Sequence, residues 1–143
     1  MELVIVMGLS LLLIVPLAGI FRRARANAAI TSGATQTLSV INAARVNTLA
    51  SKFDTAWGVH LATSSIVLFR GVAYATSSLD NEVFKLDRLV NISGFSLASG
   101  GSDIIFNRLT GTTANYGNII LHTISSAASS TRVLTIKNTG TIY

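Results

Sequence analysis

A chain of 143 residues holds one domain and an appendage, and only 12% of this one is charged while half is hydrophobic, which excludes a disordered chain. The absence of cysteine excludes disulfide frameworks, thiolate metal sites and cysteine nucleophiles. The net charge of +5 is lopsided: residues 1–52 carry Arg22, Arg23, Arg25, Arg45 and Lys52 against Glu2 alone, whereas residues 53–143 are nearly neutral.

From Leu3 to Phe21 there are nineteen residues without a charge. As a helix this run is about 28 Å long, close to the thickness of a bilayer's hydrocarbon core, so it predicts a membrane-spanning or filament-core segment. A secretory signal places its basic residues before the apolar run, whereas here Glu2 precedes it and Arg22, Arg23 and Arg25 follow, which disfavours a cleaved signal peptide. An ordinary anchor obeying the positive-inside rule would leave the C-terminal domain in the cytoplasm and give Glu2 no role. A carboxylate heading an apolar helix is costly in lipid and so marks function. Pro16 cannot donate a helical hydrogen bond and crowds the preceding turn. With Gly8 and Gly19 nearby, local unwinding is expected there.

The string Glu2-Leu3-Val4-Ile5-Val6-Met7-Gly8-Leu9 resembles the start of mature type IV pilins and type II secretion pseudopilins, in which a glutamate heads an apolar helix. In that family a prepilin peptidase removes a leader ending in glycine, the new terminal amine is methylated, and the glutamate pairs with the amine of a neighbouring subunit. The resemblance assigns that role to Glu2. It implies a subunit held in the inner membrane by its helix before assembly, with the assembly machinery as partner. The subunit would then join copies of itself or related pilins in an extracellular or periplasmic filament. The sequence departs from the family pattern in having only Met1 before Glu2.

Residues 22–52 contain no proline, and Ile30, Ala34, Leu38, Ile41, Ala44 and Leu49 recur at helical spacing. One helix is therefore expected from residue 2 to about 52, apolar over residues 1–21 and amphipathic over 22–52. Beyond Lys52 the period changes to 2, and strands are expected at Ser65–Arg70, Val72–Thr76, Glu82–Leu86, Asp103–Asn107, Asn118–Thr123 and Arg132–Asn138, separated by glycines. In the last run Leu134 and Ile136 alternate with Val133, Thr135 and Lys137, predicting one packed and one wet face. The fold class read from this pattern is α+β, a long helix followed by an antiparallel β-rich head over residues 53–143. The order Trp57-Gly58-Val59, Phe69-Arg70-Gly71, Ile104-Ile105-Phe106, Gly117-Asn118-Ile119-Ile120-Leu121 and Val133-Leu134-Thr135-Ile136 resembles the H-type minor pseudopilins and related pilins. That resemblance implies a β-sandwich packed on the second half of the helix.

Trp57 and Phe69 are expected in the core. His60 and His122 lack the short spacing of metal ligands, and Asp80, Glu82, Asp87 and Asp103 form no calcium-loop motif, so no metal is expected. Neither a G-x-S-x-G elbow nor a phosphate-binding glycine loop is present, and the reading is of a protein without cofactor or catalytic activity. Three functions remain. The first is a filament subunit assembled through Glu2, Gly8, Pro16 and Gly19. The second adds DNA binding along Arg108, Arg132 and Lys137, since no acid follows Asp103; it requires these three on one accessible face. The third is a membrane-anchored β-domain that does not polymerise.

Overall fold

The computed structural model describes residues 2–124 and 129–143, and the side chains of residues 2–5 and 9–18 lie outside that description. The first element, α1, is one helix over Glu2–Leu49, 48 residues or roughly 70 Å long. It is continuous through Gly8, Pro16 and Gly19. The unwinding expected at Pro16 is therefore not a feature of the isolated chain. One missing N–H need not break a helix whose backbone ladder continues on both sides.

The buried face of α1 begins at Ala26 and continues through Ala29, Ile30, Gly33, Thr37, Val40, Ile41, Ala44 and Thr48, steps of one, three and four that keep a single line on a helix. Of the predicted stripe, Ile30, Ile41 and Ala44 lie on this line, Ala34 and Leu38 flank it, and Leu49 is exposed. Two buried threonines replace the apolar residues that the pattern sought. Thr37 Oγ1 donates to the Gly33 carbonyl at 2.7 Å and Thr48 Oγ1 to the Ala44 carbonyl at 2.8 Å, so each hydroxyl is satisfied within its own helix and needs no partner in the core. Thr48 Oγ1 also accepts the Trp57 N–H at 3.0 Å, tying the first strand to the last turn of the helix. The reversal between them passes through Ser51, Phe53 and Asp54, all with positive φ.

Seven strands follow: β1 (Trp57–Leu61), β2 (Ser65–Arg70), β3 (Glu82–Lys85), β4 (Val90–Leu97), β5 (Asp103–Ile105), β6 (Gly117–Thr123) and β7 (Thr131–Ile136). They form two antiparallel sheets, ordered β3-β2-β1-β5 and β4-β6-β7. Four of the six predicted strands match closely, and the predicted Asp103–Asn107 strand is real but stops at Ile105. Val72–Thr76 is a loop, contrary to expectation. Chain direction changes at Gly71, φ 115, whose N–H bonds back to the Ala56 carbonyl at 2.8 Å, and Val72 is then left exposed outside the ladder. β1 and β4 were not expected as strands. Gly58 and His60 interrupt the apolar pattern of β1, and β4 carries a bulge between Ile92 and Gly94 that shifts its alternation.

Ile66, Val67, Leu68 and Phe69 of β2 are all buried, as befits a strand covered on both faces. The main core joins Ile30 and Ile41 of α1 to Val59, Leu61, Ile66 and Leu68 of the first sheet and to Val90, Ile92, Ile119, Leu121, Leu134 and Ile136 of the second. In β7 the alternation holds: Leu134 and Ile136 are buried, Val133 and Lys137 exposed. Because Ala26 is 0% and Ile30 2% exposed, the head needs the helix from Ala26 onward. A chain beginning at Arg22 should be soluble and show both helix and sheet by circular dichroism. One beginning at Thr31 loses Ile30 from the core and should melt earlier by the equivalent of about 2–5 kcal/mol. Equal thermal midpoints for the two would refute this packing boundary.

Candidate functional site

Residues 2–25 of α1 precede its buried face and extend beyond the head. Among the described side chains Met7, Ile20 and Phe21 are 63–70% exposed, and a methyl group added at Gly8 or Gly19 would meet nothing within 4 Å. Arg22, Arg23 and Arg25 follow, also exposed, with no carboxylate paired to them among the described residues. Apolar side chains left in this state on a single helix need a second surface to cover them. The side chains of Glu2 and Pro16 lie outside the described residues. Among the described residues no helix is long and apolar enough to cross a membrane, and the side chains of most of the uncharged run lie outside them.

Above this segment the helix and the edge strand β3 border an open groove of about 1010 Å³. Asn27, Ala28, Thr31, Ser32, Thr35, Gln36, Ser39 and Val40 line it from the helix and Phe84 from the strand. Gln36 Nε2 donates to the Lys85 carbonyl at 3.4 Å and fixes the strand beside the helix at that level.

The basic residues considered for DNA are not gathered. Arg108 pairs with Asp54. Lys137 lies 5.1 Å from the centre of the Tyr143 ring. Arg132 stands at the start of β7 beside Asn27 and Thr31, about 16 Å from Lys137 along an extended chain and, five positions away, on the opposite face.

On the outer face of the first sheet, the register pairs His60 with both Val67 and Asp103. His60 Nδ1 lies 2.6 Å from Asp103 Oδ1 and 3.4 Å from Ser102 Oγ, and Tyr74 stacks on the imidazole with centroids 4.0 Å apart. Phe69 lies 5.6 Å from Tyr74 and covers Gly58, where a Cβ would fall 2.5 Å from Phe69 Cζ. Both polar partners sit on the same imidazole nitrogen. A relay would instead place an orienting acid on one nitrogen and a nucleophile on the other, so the cluster serves to clamp the loop after β2 onto the sheet. Sequence reasoning missed it because only the β1–β5 register brings residues 60 and 103 together. Trp57 and Phe69 are buried as expected. No group of His, Asp or Glu among the described residues could hold a metal ion.

No family model matches the chain, and neither a curated protein nor a solved structure matches it.

Proposed function

We propose that this chain is a structural subunit of a type IV pilus-like or pseudopilus filament, polymerised through its N-terminal helix and displaying the two-sheet head. The observation that carries the reading is the division of α1. Among the described residues its buried line starts at Ala26, and Met7, Ile20 and Phe21 ahead of that line are exposed, although they belong to the same 48-residue helix. Globular domains do not sustain such an extension, whereas a polymer covers it with copies of itself. The uncharged run headed by Glu2 and the long helix lying across two antiparallel sheets support the same reading, as does the resemblance to the pilin family. Its role is mechanical and not catalytic, its partners are copies of itself or related subunits, and it waits in the membrane before assembly. The dispersal of Arg108, Arg132 and Lys137 gives no continuous cationic track for a phosphate backbone, so DNA binding is not part of the proposal.

Electron microscopy of the full-length protein sheared from cells or reconstituted with its assembly machinery tests this directly. Regular filaments labelled by antibody to the head are expected. Dispersed particles, with the protein recovered wholly in the membrane fraction, would refute it in favour of a plain anchored domain.

A further inference from the structure

The groove beside α1 has a definite length and a definite charge at one end. Its helical wall runs from Asn27 to Val40. Phe84 lines the opposite wall, and Glu82, two positions earlier on β3, shares the face of Phe84. Glu82 is exposed and has no ion pair among the described residues, whereas Asp80 is held by Arg70 at 2.7 Å.

The level of Glu82 along α1 follows from two hydrogen bonds. Lys85 is beside Gln36, and Trp57, at the other end of the sheet, is beside Thr48. The register carries Glu82 toward the Thr48 end through Leu68 and Val59. Three strand residues span roughly 10 Å, which is six or seven helical residues, so Glu82 stands near residues 42–44 of α1.

We propose that this groove seats the helix of a second copy of this chain, parallel to α1 and displaced by about 20 residues or roughly 30 Å, so that the Arg22–Arg25 cluster of that copy meets Glu82. This deepens the filament reading and rests on it. Placing the three arginines level with Glu82 sets the displacement. The same displacement puts residues 7–20 of the second copy against residues 27–40, so the whole groove faces the uncharged run and no charge enters it. The short side chains Ala28, Ser32 and Ser39 allow close approach of a second helix, and the carboxylate would meet cations that have no paired acid among the described residues.

The chain has no cysteine, which makes cross-linking clean. Glu82→Cys is combined in turn with Arg22→Cys, Arg23→Cys and Arg25→Cys, and assembled filaments are oxidised. A ladder of disulfide-linked multimers of this chain is expected from at least one pair and from none of the single variants. In parallel, Glu82→Arg should reduce filament number by about tenfold or more through like-charge repulsion, and Arg23→Glu in the same chain should restore it. Filaments that form normally but yield no ladder, with Glu82→Arg without effect, overturn the groove assignment and leave the filament reading standing. Absence of filaments from the unaltered chain overturns both. Rungs carrying the mass of another protein assign the groove elsewhere and also overturn the proposal.

Discussion

Gly117→Ala should lower the thermal midpoint of the head more than any surface substitution. Gly117 opens β6 opposite Leu97 of β4, with φ 152. A Cβ there would fall 1.9 Å from the Ser96 carbonyl oxygen and 3.0 Å from Leu97 Cα, and both atoms are backbone, so no rotamer change relieves the overlap. The β4–β6 ladder would have to open at this end, where the Ala98 N–H bonds to the Tyr116 carbonyl at 2.8 Å. Forced backbone strain and a broken ladder together cost about 3–5 kcal/mol, a large part of the stability of a small domain. The expected fall is on the order of 10–20 °C. Gly94→Ala is the control, because an added methyl there meets nothing within 4 Å and should change the midpoint by no more than about 1 kcal/mol equivalent. Equal midpoints for the two variants, measured by circular dichroism on the chain beginning at Arg22, would show the β4–β6 register to be wrong.

Glu2→Ala should abolish filaments while leaving the head intact. Glu2 is the one acid in the first 52 residues, and the filament reading gives it the terminal amine of a neighbouring copy as partner. Removing one member of an apolar-buried ion pair strands the other, at about 3–5 kcal/mol, and the loss is repeated at every subunit added. Ala26, where the head begins, lies 24 residues along the helix, roughly 36 Å away, so the melting curve of the head should not move. Filaments of normal number and length in the Glu2→Ala strain, counted by electron microscopy, would remove Glu2 from assembly and with it the strongest link to the pilin family.

Much of this architecture is legible along the chain because it rests on local periodicity. The helix was readable to within a few residues of Leu49, since neither the alanine-rich stretch nor the apolar run contains a competing turn signal. β2, β3, β6 and β7 were readable because their apolar residues are contiguous or strictly alternate. The failures share one cause, which is that a partner distant in sequence supplied what the local pattern lacked. Val72–Thr76 has strand composition, but the turn at Gly71 carries it out of the ladder. β1 lacks the composition at Gly58 and His60 yet is held between β2 and β5, with the Phe69 ring occupying the space over Gly58. Thr37 and Thr48 look polar in a list of residues and are core in the fold, because each hydroxyl is spent on a carbonyl one turn away.

The candidate surface divides in the same manner. The sequence by itself determined the uncharged run, the carboxylate ahead of it and the arginines behind it, because these depend on composition and order alone. Only the tertiary structure decided that, among the described residues, the buried line of the helix starts at Ala26, because burial depends on which residues of two sheets reach the helix. It also decided that Arg108, Arg132 and Lys137 are dispersed, since charges grouped in sequence are separated by strand direction and by pairing with Asp54. The groove between α1 and β3, with Glu82 at its end, exists because sheet register sets β3 beside residues 36–44, a distance in sequence over which no local pattern carries information.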